Sequence, residues 1–124
     1  MIYNISDALL SLRPNAEWSK EGTEYSGLTW LDSSQTKPTE SELTAEVTRL
    51  NNAESMRLLR VERDRRLSSC DWVVTKATET GTTVSDSWKT YRQSLRDLPA
   101  SASPKLDAYG NLDLTSVTWP TEPS

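Results

Sequence analysis

Histidine and phenylalanine are absent from these 124 residues, and cysteine occurs once. Without histidine, the commonest general base and metal ligand is missing. The single Cys70 excludes a CxxC zinc or redox pair and any intramolecular disulfide, which fits a reducing compartment. The four glycines are scattered singly. They form neither a G-x-x-x-x-G-K-S/T loop nor a G-x-G-x-x-G turn. No apolar run approaches the roughly 18 residues of a membrane span, and no basic-flanked apolar stretch marks a secretory signal. The expectation is a protein of the cytoplasm with no catalytic site, no cofactor and no metal.

Strong positive charge is also lacking. Lys and Arg total 14 against 18 Asp and Glu, a net charge of −4. Affinity for phosphate backbones comes from clustered cations, so general nucleic-acid binding is not expected. Leu, Ile and Val make only 23 of 124 residues, but five Trp and four Tyr add large apolar area per residue. These counts predict an ordered chain with a thin core, stabilised in part by self-association or by a partner.

The chain reads as three regions, 1–37, 38–99 and 100–124. In the first, Ile2, Tyr3 and Ile5 precede Ser6-Asp7, a candidate helix cap, and Ile5, Leu9 and Leu12 share one helical face up to Pro14. Residues 16–32 alternate as two strands, with a turn at Glu21-Gly22-Thr23 and a bulge or bend expected at Gly27.

In the second region, Thr39 and Glu42 form a capping box ahead of a helical pattern reaching residue 76. Leu43, Val47, Leu50, Leu58, Val61 and Trp72 lie on one side, and Met56, Leu59, Leu67 and Val74 lie on the other. Apolar residues on two sides place a helix between layers. If this helix breaks, Asn51-Asn52 is the expected point. Gly81 reads as a helix end, and Ser85-Asp86 reads as the cap of a second helix ended by Pro99. Val84, Trp88, Tyr91, Leu95 and Leu98 are its buried stripe, which makes the pair a helical hairpin. The fold class is α+β: a short N-terminal helix and a small antiparallel β-hairpin, then a long-helix/short-helix hairpin and an extended tail.

Five arginines, Arg57, Arg60, Arg63, Arg65 and Arg66, fall within ten residues. Charge is −5 over residues 1–48, +3 over 49–66 and −2 over 67–124. The cluster is either a solvated, ion-paired helix, with Glu62 and Arg66 as an i,i+4 pair, or a patch for an acidic protein. Glu40, Glu42 and Glu46 read as a solvated first turn, and Cys70 as a plain buried thiol. Trp72, Trp88, Tyr91, Leu95 and Leu98 are the expected hairpin core, with Trp30 facing it. The residues expected to reach a partner are Trp119, Arg92, Arg96, Arg60 and Arg63.

One stretch goes beyond composition. Arg66-Leu67, Cys70-Asp71-Trp72, Trp88, Tyr91-Arg92 and Leu95-Arg96-Asp97-Leu98-Pro99 spell R-L-x-x-C-D-W … W-x-x-Y-R-x-x-L-R-D-L-P. This resembles the tail assembly chaperone family of tailed bacteriophages, which includes tail-fibre assembly proteins. With Trp30-Leu31-Asp32 and Lys37-Pro38-Thr39-Glu40 upstream, the likeness spans Trp30 to Pro99. It departs at Cys70, where a small polar residue is expected.

The resemblance implies a non-enzymatic protein that binds and holds a phage tail or tail-fibre protein in the host cytoplasm. The alternative is a structural adaptor or fibre component that stays in the virion tail. The motif holds no nucleophile or base, and a second copy of the chain is a further candidate partner.

Overall fold

A computed structural model describes Tyr3–Ser124; Ile2 lies outside the described residues. The chain divides into two units, with the boundary inside a helix. The first unit runs to Glu54 and takes in Leu106–Asn111. The second comprises Ser55–Lys105 and Leu112–Ser124.

The first unit opens with helix α1, Ile5–Leu12. Its cap is Asn4, not Ser6-Asp7: Asn4 accepts from the Asp7 N–H, and Asp7 accepts from the Asn4 N–H. That reciprocal pairing satisfies two of the four free donors at a helix start. Ala8 and Leu9 are fully buried, and Ile5 and Leu12 pack on the same cluster.

Strands β1 (Trp18–Lys20) and β2 (Leu28–Trp30) pair antiparallel, with Trp18 opposite Trp30 and Lys20 opposite Leu28. The hairpin is shorter than the alternation suggested, because Tyr25–Gly27 coils into a 3-10 turn instead of extending. Gly27 sits in that turn, where a Cβ would fall 1.9 Å from the Glu21 carbonyl oxygen. No side chain fits there. Trp30 packs against Ala8, Leu9, Leu28 and Leu43, and its indole N–H donates to the Gln35 carbonyl.

Helix α2 runs Glu40–Ser69 without interruption at Asn51-Asn52. Thr39 and Glu42 cap it as expected: the Glu42 N–H donates to Thr39 Oγ1, and the Thr39 N–H donates to the Glu42 carboxylate. Leu43 is fully buried. Glu46 corrects the solvated-turn expectation, because only 7% of it is exposed. Arg49 holds it through contacts of 2.6 and 2.7 Å, and Ser11 Oγ donates to it from α1.

The expected helix to residue 76 breaks at Cys70, and α3 follows as Asp71–Thr80. The two-sided stripe breaks with it. Leu59 is fully buried while Val61, Trp72 and Val74 are exposed, so α2 is not sandwiched along its length. At the end of α3, Gly81 turns left-handed at φ +70°, its N–H reaching Thr78 O and the Thr82 N–H reaching Ala77 O. That is the Schellman closure of a helix end.

Helix α4 is Asp86–Ser101, with Pro99 inside its last turn rather than after it. Proline lacks only its own N–H, and the Ala102 N–H still closes on Leu98 O at 3.0 Å. Ser85 is the cap position but makes no side-chain capping bond.

Candidate partner-binding surface

The second unit is built around Cys70, Val73, Tyr91 and Leu95, with Leu67, Val84, Trp88 and Trp119 packed against them. The stripe on α4 explains this: Trp88, Tyr91 and Leu95 recur at helical spacing and meet α3 along one face. Trp88 stands edge-on to both Trp72 and Tyr91, at ring-centroid distances of 5.9 and 5.8 Å. Edge-to-face pairing adds to the area these rings bury.

Not every expected core residue is inside. Tyr91 and Leu95 are buried, while Trp88 and Leu98 are half-buried. Trp72 is 54% exposed, which corrects its assignment to the core. The break at Cys70 rotates it off the α2 stripe, leaving one edge on Trp88 and the remainder toward solvent. Burial raises the Tyr91 phenol pKa, and the nearby Glu122 carboxylate raises it further.

Two residues expected to reach a partner are engaged within the chain. Arg92 donates to the Leu67 carbonyl at 3.1 Å, to Cys70 Sγ at 3.0 Å and to Asp71 Oδ1 at 2.9 Å. Trp119 lays its ring over the Arg66 guanidinium at 4.1 Å and donates its indole N–H to Leu114 O. The tail is therefore not free: Val117 is buried, and a turn at Leu114–Ser116 is capped by Asp113. Cys70 is a buried thiol, its S–H directed at Leu67 O.

The other three arginines sit differently. Arg63 donates to the Arg96 carbonyl at 3.5 Å and pairs with Asp64, which ties α2 to α4. Arg96 is exposed and, among the described residues, donates only to the neutral Gln93 amide oxygen. Arg60 is exposed and, among the described residues, forms no ion pair. By contrast, Arg65 and Arg66 both pair with Glu62, and Arg65 is the main cause that lowers its pKa. The arginine cluster is thus split: Arg63, Arg65 and Arg66 are paired on their own helix, whereas Arg60, like Arg96 on α4, is exposed and forms no ion pair among the described residues.

Sequence reasoning missed one strong site, the Glu46–Arg49–Ser11 group, because the sequence does not show that α1 crosses the first turns of α2. Among the described residues, no three His, Cys, Asp or Glu side chains gather as a metal would require, and no helix is long and apolar enough to cross a membrane.

No curated protein and no solved structure matches the chain. Residues 56–124 match the family described as phage tail assembly chaperone protein. The match starts later than the likeness read from Trp30 and extends through the tail to Ser124. It therefore includes the residues that bring Trp119 onto Arg66. Covering more than half of the sequence, it places this chain in the phage tail assembly chaperone family.

Proposed function

We propose that the chain assists tail assembly by binding another tail or tail-fibre protein through Arg60 and Arg96, without catalysis. The observation that carries this reading is the pair of exposed arginines, Arg60 and Arg96, which have no carboxylate partner within the described structure and lie inside the family-matched segment. Surface cations left unpaired cost nothing in water and steer an acidic partner into register. Assembly then takes place in the host cytoplasm, and nucleic acid is not the ligand.

The test is affinity of the purified chain for each co-expressed tail protein, measured with Arg60→Glu/Arg96→Glu. The double reversal should weaken capture at least about tenfold and flatten its salt dependence. Unchanged capture would move the surface elsewhere. Counting copies in purified mature particles by mass spectrometry separates the chaperone from a resident adaptor. Absence from the particle, with presence in infected cells, is the outcome expected of a chaperone.

A further inference from the structure

The C-terminal strap of the second unit is held by side chains. Val117 is buried and its N–H reaches Leu114 O at 3.4 Å, but from Thr118 to Ser124 no backbone group is hydrogen bonded among the described residues. The holding contacts are Trp119, stacked on Arg66 and packed on the Cys70–Leu95 cluster, and the indole N–H bond to Leu114 O. Beyond Trp119, Pro120–Ser124 runs beside α4 opposite Ser87, Thr90, Tyr91 and Ser94. Strap and helix together bound an open groove of about 680 Å³.

A segment without backbone hydrogen bonds belongs to the least stable end of a fold. Pro120 and Pro123 hold it extended and remove two donors, the form in which proline-bearing peptides dock, and Tyr91 is the aromatic residue of α4 that lines this groove. The chain therefore displays on itself what this face accepts. It takes an aromatic ring over a guanidinium, then a proline-bearing extended stretch along α4.

We propose that residues 118–124 are a placeholder, and that an extended Trp–Pro-bearing segment of a tail protein displaces them from Arg66 and α4. Only the identity of the partner rests on the chaperone reading; the surface itself can be tested without any tail protein.

The probe is a fluorescein-labelled synthetic peptide, Leu114–Ser124, added to the full-length chain and followed by anisotropy. In the wild type, the tethered copy competes at millimolar effective concentration. Full-length Trp119→Ala should therefore bind the peptide at least about tenfold tighter than the wild type does. A peptide in which that same tryptophan is alanine should lose binding. Equal affinity for both chains, or no binding to either, overturns the proposal. If the alanine chain loses its helical circular dichroism, Trp119→Leu keeps an apolar filler and takes its place: tighter binding than wild type supports displacement, and equal or absent binding overturns it.

Discussion

Arg92 Nη1 lies 3.0 Å from Cys70 Sγ and 3.1 Å from the Leu67 carbonyl oxygen. One side chain of α4 thereby closes the interruption between α2 and α3. A helix end leaves carbonyls without partners, and here Leu67 O collects the Cys70 N–H, the Cys70 thiol and Arg92. The R-L-x-x-C-D-W … Y-R pattern is thus the chemistry of a helix junction.

Arg92→Met should lower stability by about 1–3 kcal/mol, because the junction loses a charged donor at a partly buried carbonyl. Asp71→Asn should cost no more than about 1 kcal/mol, since Asp71 is 63% exposed and its ion pair with Arg92 is screened. Urea unfolding of the two variants checks the order. A larger loss for Asp71→Asn would refute the junction account.

Glu46 contributes to the acid response of the first unit, alongside Asp32, whose pKa the Glu17 and Gln35 N–H groups lower. Hydrogen bonding from Arg49, and then from Ser11, lowers its pKa to about 2 from an ordinary 4.5. A folded-state pKa below the unfolded value means the stabilisation is complete above pH 4.5. It drains away as pH falls toward 2. Thermal melts from about pH 7 down to about pH 2 should show that loss in the wild type and a shallower slope over the same window in Glu46→Gln.

The aromatic ladder should grade by burial. Leu95→Ala removes a fully buried side chain and should cost about 2–5 kcal/mol. Trp88→Ala, half-buried between Trp72 and Tyr91, should cost about 3 kcal/mol. Trp72→Ala should cost about 1 kcal/mol, the scale of one edge-to-face contact. Denaturant midpoints decide it, and a Trp72 loss equal to that of Trp88 would return Trp72 to the core.

Two glycines of the hairpin offer a matched comparison. Gly22, at φ +74° with open space around it, should lose about 1 kcal/mol on Gly22→Ala. Gly27→Ala should lose more, because its Cβ would overlap the Glu21 carbonyl and break the 3.0 Å bond from the Glu21 N–H to Gly27 O. Equal losses would show that the turn at Tyr25–Gly27 yields easily.

Periodicity and local chemistry by themselves determined the order of elements: a short helix, a hairpin, a long capped helix, and an amphipathic helix carrying Tyr91 and Leu95. The Thr39–Glu42 capping box and the Gly81 helix end were legible because each is satisfied by atoms within a few residues. The motif from Arg66 to Pro99 likewise identified the family before any coordinate did.

What only the tertiary structure decided are the pairings across tens of residues: Ser11 with Glu46, Arg92 with Leu67, Trp119 with Arg66. A charged or aromatic side chain reads the same whether it meets solvent, a partner or its own chain. Burial and a facing group decide which, and both come from elements distant in sequence. For that reason Arg92 and Trp119 turned inward while Trp72, Arg60 and Arg96 stayed outside.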